Sequence, residues 1–138
     1  MVRLSGNGGV VELERAELGP PGTPPDGDLL VRVDVTVASF SAADQAWILG
    51  RDWADFLRQL TELERQRQGK AILQGASAEE LALELFAADR AGHMALRGVV
   101  RRRTIDGFVL GLEYGFAFEP DLLPGLLDEL RDLASPRP

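Results

Sequence analysis

The stretch "GHMALRGVVRRR", residues 92–103, holds the only histidine of the chain and its densest run of basic residues. It can be a catalytic histidine beside a nucleic-acid patch, or one strand of a sheet. Parity decides. Met94, Leu96, Gly98 and Val100 share one side, while His93, Ala95, Arg97, Arg101 and Arg103 make up most of the other. That is the two-residue period of a strand with one covered face. The preceding "LALELFAAD" (81–89) sorts the same way, with Leu81, Leu83 and Leu85 against Glu84 and Phe86. For the two apolar faces to coincide, facing residue numbers must sum to an odd value. A two- or four-residue turn within "DRAG" (89–92) meets that condition and sets Glu84 opposite Arg97 and Leu85 opposite Leu96. Arg97 is then the partner of a cross-strand carboxylate, a contact worth a few tenths to about 1 kcal/mol, rather than of a phosphate.

Downstream, Phe108, Leu110, Leu112, Tyr114, Phe116 and Phe118 share a face opposite Val109, Gly111, Glu113, Gly115 and Ala117. A three-residue loop, Ile105-Asp106-Gly107, aligns this aromatic row with the preceding apolar face and places it in the core. Gly98 then faces Tyr114, whose ring covers the bare backbone.

At the start of the chain, Asn7-Gly8 is a strong two-residue turn signal. It pairs Leu4 with Val11, Val2 with Leu13 and Arg3 with Glu12. No helix follows "GNGG", so it does not read as a phosphate-cradling loop. The Pro/Gly segment "GPPGTPPDGD" (19–28) cannot continue a strand and reads as a surface connection, with a binding loop as the alternative. In "LLVRVDVTVASF" (29–40), Val31, Val33, Val35 and Val37 alternate with Arg32, Asp34 and Thr36. The residues on to Leu49 either extend that strand or kink it.

The period changes in "DWADFLRQLTELERQRQ" (52–68). Trp53, Phe56, Leu57, Leu60 and Leu63 follow helical spacing, with Asp52 as N-cap and Gly69 as terminator. Strands follow around 71–76, 80–89, 92–104 and 107–118. The closing "EPDLLPGLLDELRDL" (119–133) carries a leucine stripe, Leu122, Leu123, Leu126, Leu127, Leu130 and Leu133. Here Asp121 is the expected N-cap and Pro124 the third helical residue, where no donor is needed. The tail 135–138 is expected to fray. The expected fold is a single α+β domain over 1–138. It has a largely antiparallel, twisted sheet of about six to seven strands with two helices on one face, in the order β-β-β-α-β-β-β-β-α.

Composition narrows the function. The chain of 138 residues has no cysteine, so disulfides, thiolate metal sites and cysteine nucleophiles are excluded. Its net charge of −7 opposes nucleic-acid binding and suits a basic protein partner. No leader pattern or membrane-length apolar run is present, so the expectation is a cytoplasmic protein. Lys70 is the only lysine among fifteen basic residues, a composition associated with GC-rich bacterial genes. A lone His93 makes no metal site and no sequence-local triad, so neither a metal nor a cofactor is expected. Arg101, Arg102 and Arg103 read as solvated residues at a strand end.

Three function classes follow. An enzyme would draw on Asp34, Glu84, His93 and Glu113. A small-molecule domain of unknown ligand would line its cavity with Trp47, Trp53, Tyr114 and Phe116. An interaction protein would use the acidic residues of the last helix, Asp121, Asp128, Glu129 and Asp132, set against Arg131 alone.

Four segments taken in order favour the last class: "NGGVVELERAE" (7–17), "WILGRDWADFLRQLTELER" (47–65), "GHMALRGVV" (92–100) and the closing "EPDLLPGLLDELRDL". Together they resemble the WapI-like immunity proteins and related small actinobacterial families. The resemblance implies a non-enzymatic antidote that binds and neutralises a cognate polymorphic toxin, often a nuclease. It brings no catalytic residues to this chain.

Overall fold

The computed structural model describes residues 1–18, 27–77 and 79–135. Among these residues, eight strands and two α-helices follow in the order β1 (Val2–Gly6), β2 (Gly9–Leu18), β3 (Leu29–Val37), β4 (Phe40–Ile48), α1 (Gly50–Gln66), β5 (Lys70–Gln74), β6 (Leu81–Ala87), β7 (Met94–Arg103), β8 (Val109–Phe118) and α2 (Leu123–Ala134). The fold is α+β and wholly antiparallel, as the alternation predicts. The strands form two sheets of four, β1-β2-β3-β4 and β5-β6-β7-β8, where a single sheet of six to seven was expected. The additional strand is β4, within the segment that the sequence left ambiguous. The loop expected at 19–28 and the tail at 135–138 fall mostly outside the described residues.

The registers follow the parity argument. Leu4 faces Val11, Val2 faces Leu13 and Arg3 faces Glu12. Glu84 faces Arg97 and Leu85 faces Leu96. Gly98 faces Tyr114. Gly98 is required there, since a Cβ would lie 2.5 Å from the Tyr114 hydroxyl oxygen and 2.7 Å from the Ala82 carbonyl oxygen.

Each sheet buries one face. Val2, Leu4, Val11, Leu13, Val31, Val33 and Val35 from the first join Ala71, Leu73, Leu83, Leu85, Met94 and Leu96 from the second in one core. Helix α1 packs on β5 and β6, α2 on β1 and β2, and the two helices touch each other. Their stripes, Trp53, Phe56, Leu60 and Leu63 on α1 and Leu123, Leu126, Leu127, Leu130 and Leu133 on α2, complete that core. Where the sheets meet, the β1–β2 turn rests on β8, and the Asn7 amide donates to the Ala117 carbonyl at 2.9 Å.

The helix ends differ from expectation. Helix α1 begins at Gly50, so Asp52 lies in its first turn, where it favours the helix dipole. Asp28 supplies the missing acceptor instead, its Oδ1 taking the Gly50 amide at 3.1 Å. The C-cap is Arg67, left-handed at φ 57° with its amide on the Leu63 carbonyl, rather than Gly69. Before α2, residues Pro120–Leu122 form a turn of 3-10 helix that contains Asp121. Asp121 is therefore not the N-cap. Pro124 is the second helical residue, a position that also requires no donor.

Candidate partner-binding surface

The carboxylates considered for catalysis are dispersed and matched to arginines. Asp34 pairs with Arg32 at 3.0 Å, Glu84 with Arg97 at 2.6 Å, and Glu113 with Arg101 at 2.5 Å. Glu84 also lies 3.8 Å from Lys70, and Arg97 covers the Phe86 ring at 4.7 Å. His93 is exposed in the β6–β7 turn, its Nδ1 2.6 Å from Asp89 Oδ2. Among the described residues, no group of three or more His, Asp or Glu side chains is placed to hold a metal ion.

Of the residues considered as a cavity lining, Trp53, Tyr114 and Phe116 belong to the core, while Trp47 is 40% exposed. Tyr114 Oη and Trp53 Nε1 are buried without a hydrogen-bond partner. Burial pushes the Tyr114 phenol pKa upward, so it stays neutral at every physiological pH.

The acidic residues of the last helix all reach solvent. The buried leucines of α2 turn Asp128, Glu129 and Asp132 outward, and Asp121 is exposed in the preceding turn. Arg131 lies 3.7 Å from Asp128 and also donates to Thr61 Oγ1. Arg15 donates to the carbonyls of Leu133 and Ser135 at the helix end. The four acidic groups are exposed on α2 and on the turn before it.

A second surface was not legible in the sequence. The aromatic row of β8 was expected in the core, but only its second half lies there. Tyr114, Phe116 and Phe118 are buried, whereas Phe108 is 69% and Leu110 61% exposed. The β7–β8 hairpin runs past the cover of the first sheet, and its inward face emerges into solvent. Phe40, at the start of β4, is exposed as well. Between β4 and the hairpin opens a cleft of about 390 Å³, lined by Phe40, Ala42, Asp44, Arg102, Leu110 and Leu112 among others. Across it Asp44 accepts from Arg102 and also from the Gln45 amide. The hydrogen bond from Arg102 is the main force holding the Asp44 carboxyl below its ordinary pKa. The arginine cluster is thus divided: Arg101 to Glu113, Arg102 to Asp44, and Arg103 to the Gly107 carbonyl at 3.4 Å.

Fold and surface define a small acidic α+β domain with an acidic helix face, an exposed apolar hairpin and ion-paired strand faces. The chain belongs to the immunity protein WapI-like family, whose model matches residues 3–138. No curated protein and no solved structure matches it. Among the described residues, no helix is long and apolar enough to cross a membrane.

Proposed function

We propose that this protein is a cytoplasmic immunity protein that neutralises a basic toxin by binding it, without catalysis. The observation that carries this reading is the family match over residues 3–138. The net charge of −7 supports a basic partner, since opposite charge steers association and disfavours mispairing. The exposed Asp121, Asp128, Glu129 and Asp132 supply a surface for that steering.

Where a neighbouring gene encodes a toxin domain, co-expression of the two tests the proposal. Host growth should be restored by the wild-type protein and equally by His93→Ala, because no step depends on the imidazole. Growth arrest despite a well-expressed wild-type protein would remove the antidote reading. Loss of protection on His93→Ala alone would point to catalysis.

A further inference from the structure

An open antiparallel sheet has two edge strands, and exposed edges invite pairing unless they are blunted. Three of the four edges here are blunted. Strand β1 runs only five residues and packs against α2. On β5, the Ile72 amide is taken by Gln59 Oε1 from α1 at 2.8 Å. On β4, Asp44 Oδ1 takes the Gln45 amide at 2.8 Å, and the Trp47 carbonyl accepts from Ala76 at 2.7 Å.

Strand β8 differs. The Phe108 carbonyl accepts from Thr104, so it points toward β7, while Ala117 accepts from Asn7 on the far side. Antiparallel alternation then aims the backbone groups of Val109, Gly111, Glu113, Gly115 and Ala117 away from β7. The β1–β2 turn occupies this edge only at Ala117. Among the described residues, no backbone hydrogen bond reaches Val109, Gly111 or Glu113 from outside the sheet. The register with β7 is unbroken, and no proline or lysine interrupts Val109–Phe118. All three residues are exposed.

We infer that the open edge of β8, from Val109 to Glu113, is where the toxin docks, by adding an extended segment of its own chain to this sheet. Main-chain hydrogen bonds provide the attachment, and alternate side chains of the added strand provide the selectivity. On the inward side those side chains meet Phe108 and Leu110 and the cleft that Phe40, Ala42 and Leu112 line. The segment should therefore be apolar at every second residue. Charge selects the toxin over a second copy of this chain: two molecules of net charge −7 repel, whereas a basic partner is drawn in. The inference rests on the immunity reading, so its test separates the two.

Amide hydrogen exchange of the protein, alone and mixed with the toxin domain used in that co-expression, reads the edge directly. Binding should slow exchange at Val109, Gly111 and Glu113, which are open in the free protein. Val109→Pro removes one outward donor and leaves the ladder to β7 intact. It should weaken binding about tenfold, the cost of losing a main-chain hydrogen bond and its neighbour's alignment, with an unchanged melting temperature. The exchange measurement decides alone where that variant folds poorly. Binding by the wild type with no slowing along β8 overturns the docking mode and leaves the immunity reading standing. Failure of the wild type to bind overturns both. Slowed exchange along β8 without toxin, in a sample that sediments as a dimer, overturns the toxin as occupant and assigns the edge to self-association.

Discussion

At the scale of single residues, Asp89 organises the turn from Asp89 to Gly92. Its Oδ1 accepts the amides of Ala91 and His93, and its Oδ2 lies 2.6 Å from His93 Nδ1. The hydrogen bond to Asp89 raises the imidazole pKa above 6.5, and the same bond lowers the carboxyl below 3.8. The two shifts have opposite consequences for stability. The raised histidine contributes fully below 6.5, and its contribution fades as pH rises through the folded value. The lowered aspartate contributes above 3.8 and fades as pH falls through its own folded value. The pair therefore acts in the window between these two titrations. An NMR titration of the His93 ring should give a midpoint above 6.5. Asp89→Asn, which can still accept both turn amides, should bring that midpoint back toward 6.5. Both groups are well exposed, so added salt should shrink the shift. A midpoint unchanged by Asp89→Asn would mean that the pair does not form in solution. In the expected outcome His93 is a turn residue paired with Asp89, in keeping with the protection expected of His93→Ala.

At the scale of elements, α1 depends on a residue outside itself. The position before it, Leu49, has no capping side chain, and the first amide is satisfied by Asp28 at the entry to β3. Asp28→Ala should destabilise the protein by about 1 kcal/mol, a usual cost for a lost N-terminal acceptor, while Asp28→Asn should cost less. Urea unfolding of the three proteins checks this, and equal midpoints for wild type and Asp28→Ala would refute it. The same contact shows why the end of α1 was hard to read. Asp52 looked like a cap because it precedes Trp53, and nothing local points to a carboxylate twenty-two positions upstream. Registers, by contrast, were legible, because alternation and turn length are local and together fix which residues face each other. Strand β4 was not. Of its inward residues after Phe40, Ala42, Asp44 and Ala46 are too small or polar to give an apolar stripe, and only Ile48 at its end is large and buried. Alternation turns Asp44 inward, and its charge is met there by Arg102, far along the chain, across the cleft. The acidic face of α2 could be read from helical spacing. The open edge of β8 could not, since a strand looks the same in sequence whether one neighbour pairs with it or two.

For the whole molecule, the division into two sheets separates its two exposed features. The acidic residues lie on α2, which covers β1 and β2, and the open edge belongs to β8 in the other sheet. Long-range attraction and short-range docking can therefore be assigned to different surfaces and measured independently. Charge acts before contact, so neutralising α2 should slow encounter with a basic toxin and leave dissociation nearly unchanged. The triple variant Asp128→Asn, Glu129→Gln, Asp132→Asn keeps helix and core intact, since all three side chains point into solvent. It reduces the net charge from −7 by three units, to −4. At low salt its association rate with the toxin domain should fall by roughly three- to tenfold, a modest share of the range that steering spans. Near 1 M salt, where the screening length is about 3 Å, wild type and variant should associate at the same rate. Val109→Pro should show the converse, with faster dissociation and an association rate that keeps its full salt dependence, because that change leaves every charge in place. Stopped-flow kinetics over a salt series resolves both effects. If the triple variant instead dissociates faster at every salt concentration, α2 lies inside the interface, and the acidic face is a contact surface rather than a steering one.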